Sequence, residues 1–174
     1  MKPFAAALVL VSCMVFAQRH GDPLTTPEID QLRDTAQEPE LRLKLYVQFT
    51  RARLDALTQA QNDPKVTDRG QAIHDKLQDF LDIYDELDDN VDMYADRRND
   101  IRKPLKLVIG SDTEFQTKLR AFKDAAVTAK EEFRQYEFLL SNALDAVGNG
   151  LQDHRQLLSE QEEAAKNKRL IKPK

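Results

Sequence analysis

Tryptophan is absent from this chain, cysteine occurs once, and only five of its 174 residues are glycine. A single cysteine, Cys13, excludes an intramolecular disulfide. So few glycines leave no Gly-rich loop to cradle a phosphate. Aromatic residues make up 7% of the chain and the net charge is -4. There is no basic groove of interleaved Arg and aromatics, which argues against nucleic acid as a partner. The histidines are His20, His74 and His154, in neither an HxxxH nor an HExxH arrangement, so the spacing of a zinc site is missing. Ser111, Ser141 and Ser159 suit capping or polar helix faces, and none sits in a nucleophile motif. His74 and His154 are expected to face solvent. These absences predict a protein that is not an enzyme, has no cofactor and lacks a dedicated metal site.

Long apolar runs are also missing, apart from one near the start. Residues 1–17 place Lys2 before an apolar stretch from Phe4 to Phe16, followed by Ala17 in a small-residue cleavage context. This is the layout of a signal peptide, too short for a membrane anchor, which needs about 20 apolar residues. The expected product is exported to a periplasmic or extracellular compartment, without a transmembrane span in the mature chain. A second reading competes at the same place. Leu10, Val11, Ser12 and Cys13 resemble a bacterial lipoprotein box, which would lipidate Cys13 and tether the chain to a membrane.

What is abundant is charge, at 32% of residues, together with Ala, Leu and Gln at helical spacing. After a polar segment at 18–26, the pattern predicts an all-α, elongated, mostly antiparallel helical bundle over 27–170 with coiled-coil-like heptad seams. The expected helices are 27–37, 39–62, 64–109, 112–147 and 151–170, before a basic tail at 171–174. Pro27 and Pro39 suit first helical positions, and Asp63 with Pro64 reads as the start of the third helix. The second helix carries two apolar faces: Leu43, Tyr46, Val47, Leu54 and Leu57 on one, and Leu45, Phe49, Ala52 and Ala56 on the other. The long third helix has a heptad seam through Val66, Gly70, Ile73, Leu77, Phe80, Tyr84, Leu87, Val91, Tyr94, Arg98, Ile101 and Leu105. Pro104 is expected to kink it. Arg98, within that seam, either snorkels or fixes register. Gly110 reads as a helix stop, with Ser111 and Glu114 at capping-box spacing beyond it. Gly148 and Gly150 read as the next break.

The densest charge lies between Asp75 and Asp100, where ten acids face three bases. With Leu87, Val91 and Tyr94 on the seam, Asp75, Asp79, Asp82, Asp85, Glu86, Asp89, Asp92, Asp96 and Asp100 form an acidic face pointing away from it. Asp88 falls on its flank. Like charges four residues apart each destabilise a helix by about 0.2–0.5 kcal/mol, so packing or cations must offset them. An EF-hand loop starting at Asp88 fails, because Met93 stands where Gly is needed and Asn99 where Glu is needed. Diffuse, weak divalent-cation binding stays open. Two sets of bases could answer the face from within: Arg42, Lys44, Arg51 and Arg53, or Lys166, Lys168, Arg169, Lys172 and Lys174. A basic external client is the alternative.

The five residues from Leu57 to Gln61, LTQAQ, resemble the LTxxQ pattern of Spy-like periplasmic helical chaperones. That resemblance implies an exported holdase for unfolded clients. The favoured expectation is broader. It is a non-enzymatic helical bundle acting in macromolecular interaction or envelope structure, with a protein or envelope partner, and open to homo-oligomer formation because long heptads pair between chains.

Overall fold

The computed structural model describes residues 22–126 and 130–171. The expected leader at 1–17, Cys13, Lys172 and Lys174 lie outside the described residues. Five α-helices follow one another, with no strand among the described residues: α1 Thr26–Asp34, α2 Pro39–Asn62, α3 Arg69–Asp96, α4 Arg102–Ala126 and α5 Lys130–Ile171.

Local chemistry fixes the ends. The Thr25 N–H and hydroxyl both donate to the Glu28 carboxylate, at 2.7 and 2.9 Å, so the cap is Thr25 and the helix starts one residue before Pro27. The third helix does not start at Pro64. Asp63 accepts from the Lys65 N–H at 2.8 Å in a local turn, and Asp68 caps α3 by accepting from the Gln71 N–H at 3.1 Å.

Four further boundaries differ from the sequence expectation. The helix expected at 64–109 is two helices. After Asp96 the Asn99 N–H reaches the Tyr94 carbonyl at 3.0 Å and the Arg98 N–H reaches Ala95 at 2.8 Å, a Schellman ending with Arg98 at φ 58°. Arg98 is therefore a turn residue and not part of a seam. Pro104 kinks nothing, because it lies in the first turn of α4, where its missing N–H would have had no partner anyway. Nor does Gly110 stop a helix: α4 runs through it, and Ser111 is buried and donates back to the Leu107 carbonyl at 3.0 Å. The helix expected at 112–147 is divided instead between α4 and α5, and α5 continues through Gly148 and Gly150.

Packing explains why those glycines are tolerated. A glycine in a helix costs about 1 kcal/mol relative to Ala, which burial of neighbouring turns outweighs. In α4, Leu105, Val108, Phe115, Leu119, Phe122 and Ala126 are buried; in α5, Phe133, Tyr136, Leu140, Ala143, Val147 and Leu151 are buried. On α3 the residues Ile73, Leu77, Phe80, Tyr84, Leu87, Val91 and Tyr94 are all buried, joined by Leu81 and Ile83 on either flank. Only part of the second face of α2 is covered: Phe49 is buried, Leu45 and Ala56 half-buried, Ala52 exposed.

Around the bundle, α2 packs on α3 and α4, α5 packs on the same two, and α1 lies on α2. Arg42 meets Asn90 and Tyr46 meets Glu86, so α2 and α3 are antiparallel. Asp112 meets His154 and Lys106 meets Glu162, so α4 and α5 are also antiparallel. The other two interfaces are parallel. Arg51 and Asp55 reach Glu114 and Lys118, while Asp88 reaches His154. Consecutive long helices alternate in direction, yet α3 and α4 occupy opposite corners and residues 97–101 cross the end of the bundle. The alternation of consecutive helices is the one expected from short connections, and the two most extensive interfaces, α2 on α3 and α4 on α5, are antiparallel, with two smaller parallel interfaces beside them.

Candidate functional site

The acidic face is one side of α3. Its lower half is tied up locally: Gln71 donates to Asp75 at 2.7 Å, Lys76 to Asp79 at 2.9 Å and Gln78 to Asp82 at 2.7 Å. Glu86 accepts from the Tyr46 hydroxyl at 3.4 Å. Asp100 is not on α3 at all. It lies in the turn, where Arg102 grips both its oxygens at 2.7 and 2.6 Å and lowers its pKa to about 2. Asp85, Asp89, Asp92 and Asp96 remain exposed, with no ion pair among the described residues. Partial burial, then Asp82, Asp88 and Asp89, raise the Asp85 pKa. Partial burial and Asp88 likewise raise Asp92, and His154 pulls the other way. The carboxylates still repel one another in the fold.

The arginines of α2 that could have served as internal partners are used elsewhere, and Lys44 is exposed. Arg42 donates to Asn90 at 2.8 Å and to the Leu32 carbonyl. Arg51 holds Glu114 at 2.8 Å, and Arg53 holds Glu28 together with the Pro23 carbonyl. Lys168 acts on Asp100, away from the exposed strip.

Beneath this face lies a group that the sequence reading missed. His154 is 2% exposed and Asp112 0% exposed, on facing turns of α5 and α4. His154, expected to face solvent, is buried because it continues the α5 repeat Val147, Gly150, His154. The His154 Nδ1 stands 2.8 Å from Asp112 Oδ2, and the Tyr84 hydroxyl donates to Asp112 Oδ1 at 3.1 Å. On the other side of the ring, Nε2 lies 3.1 Å from Asp88 Oδ1 in an ion-pair contact that lacks hydrogen-bond alignment. Asp88 is half-exposed, so it joins the buried layer to the acidic face. Burial alone would push the imidazole down; the Asp112 and Asp88 carboxylates outweigh it and raise His154 to about 9. The ring is then a cation at neutral pH, donating Nδ1–H to Asp112. Burial and the adjacent Asp112 carboxylate push the Tyr84 phenol up, which keeps it a donor.

Close approach completes the layer. A Cβ on Gly150 would strike the Tyr84 hydroxyl, which Asp112 holds in place. An imidazolium flanked by two carboxylates has no lone pair with which to act as a base or a metal ligand. Among the described residues no group of three or more His, Cys, Asp or Glu side chains is disposed to hold a metal. No described helix is long and apolar enough to cross a membrane. The arrangement can set register and hold one charge under the acidic face.

Comparison with protein-family models, with curated proteins and with solved structures finds no match to the chain.

Proposed function

We propose that the chain is an exported, non-enzymatic helical-bundle protein that binds a cationic macromolecule or envelope component through the outer face of α3. The observation that supports this reading is the strip Asp85, Asp89, Asp92 and Asp96. It is exposed and self-repelling, and the α2 arginines that could have neutralised it, Arg42, Arg51 and Arg53, are engaged with other groups. A fold that leaves such a strip unanswered gains from a partner supplying the positive charge, and long-range attraction speeds the encounter. Export rests on the leader at 1–17, with membrane tethering through Cys13 as the alternative fate of the same segment.

The test is a pull-down from the native envelope fraction with the wild type and with a variant carrying Asp85→Asn, Asp89→Asn, Asp92→Asn and Asp96→Asn. Partners that are basic, released by salt and lost by the variant support the proposal. Equal capture by both proteins overturns it.

A further inference from the structure

The end of the bundle crossed by residues 97–101 holds an open cavity of about 520 Å³. Its origin is architectural. α3 ends at Asp96 while α5 continues to Ile171, so the inner side of the last turns of α5 faces a turn and not a helix. Leu157, Ala164 and Ala165 form an apolar wall there. The opposite side is the turn itself, pinned by Gln161: its side-chain oxygen accepts from the Ile101 N–H at 3.1 Å, and its amide donates to the Asn99 carbonyl at 3.1 Å. The cavity is thus held open by fixed hydrogen bonds.

Its charges are unequal in availability. Arg102 is neutralised by Asp100 through two short bonds. Glu160 accepts from Gln156 along its own helix at 2.9 Å and keeps its negative charge, so the lining sets Arg98, Arg102 and Lys168 against Asp100 and Glu160. Arg98 and Lys168 also line the cavity, and Lys168 lies near enough to Asp100 to help hold its pKa down, which leaves Arg98 the cation with no counter-ion among the described residues. Arg98 occupies the left-handed region at φ 58°, where glycine would sit without steric cost. A bulky residue in this conformation makes its side chain a candidate for a role at the site.

We propose that this cavity binds a small amphipathic monoanion, its carboxylate or phosphate head between Arg98 and Lys168 and its apolar part against Leu157, Ala164 and Ala165. The volume matches an ordinary small-molecule site, and an apolar wall with few polar anchors is the usual composition of one.

Calorimetric titration of the full chain with decanoate, decyl phosphate, inorganic phosphate and decyltrimethylammonium, below micelle formation, tests this. Decanoate or decyl phosphate should saturate one site per chain. Losing one charge-assisted contact in Arg98→Gly should weaken binding about tenfold while raising the melting midpoint, since glycine relieves the backbone strain. Ala164→Phe, which fills the cavity and leaves Arg98 intact, should abolish binding. Tighter binding of decyl phosphate than decanoate would identify a phosphate head, and the reverse a carboxylate. The proposal fails if neither amphiphile saturates, if inorganic phosphate or decyltrimethylammonium binds equally well, or if either variant binds like the wild type.

Discussion

An Asp112→Asn substitution removes one charge from the bundle interior and changes almost nothing in shape. The new amide can still accept from Tyr84 and face the His154 ring. What it cannot supply is the counter-ion for a buried imidazolium whose Nδ1 lies 2.8 Å away. Breaking a buried ion pair by removing one partner costs about 3–5 kcal/mol, and the retained hydrogen bonds place this case near about 3. The pH dependence provides an independent measure. His154 is raised from 6.5 to about 9, so its pairing adds stability that is fully present below pH 6.5 and lost as pH rises through about 9. At about 1.36 kcal/mol per pH unit, the span is worth about 3 kcal/mol. Urea denaturation followed by circular dichroism, between about pH 6 and about pH 10, reads both quantities. Wild-type stability should fall across that window, and Asp112→Asn should be less stable at the acid end with a much flatter profile. A variant within about 0.5 kcal/mol of wild type at the acid end, or an unchanged slope, would contradict a buried His154–Asp112 ion pair.

Replacing the whole buried layer should behave differently from breaking it: the triple variant Tyr84→Phe, Asp112→Leu, His154→Leu is expected to match or exceed wild-type stability in the same denaturation assay. If it unfolds as readily as Asp112→Asn, the layer contributes net stability and not only register. Glycine substitutions should split in sign. Gly110→Ala meets open space and should gain about 1 kcal/mol of helix propensity, whereas Gly150→Ala should lose about 1–3 kcal/mol by displacing the Tyr84 hydroxyl. Equal effects at the two sites would contradict the packing described around Tyr84. Neutralising Asp85, Asp89, Asp92 and Asp96 removes three like-charge pairs at i,i+4 and should stabilise the free chain by about 1 kcal/mol at low salt. That gain should vanish at high ionic strength, and thermal melts across a salt series would show whether it does.

The inward face of α3 was legible, since Ile73, Leu77, Phe80, Tyr84, Leu87, Val91 and Tyr94 are all buried. Helix ends were less so: Asp63 with Pro64 mimicked the start of α3, and glycine misled at several of the other ends. The stop after Asp96 has Arg98 where a glycine would announce it, and Tyr94 to Ile101 spans one heptad, so the turn leaves no break in the repeat. Gly110, Gly148 and Gly150 look like stops, but packing on either side carries the helices through them. Those false breaks also concealed the buried charges. Had the alternation of three and four continued past them, Leu105, Val108, Asp112, Phe115 and Val147, Gly150, His154 would have placed Asp112 and His154 inside. The outer acids were readable from the seam alone. The engagement of Arg42, Arg51 and Arg53 elsewhere depends on contacts between helices distant in sequence, which periodicity does not encode.

The claim that the outer side of α3 is the binding face is tested most directly by mapping amide chemical-shift changes as a lysine-rich peptide is added to the isotope-labelled chain. Perturbations should concentrate on α3 around Asp85, Asp89, Asp92 and Asp96, reverse with salt and be absent in the variant that neutralises those four residues. Perturbations centred on another helix, or a neutralised variant that responds like the wild type, would contradict it.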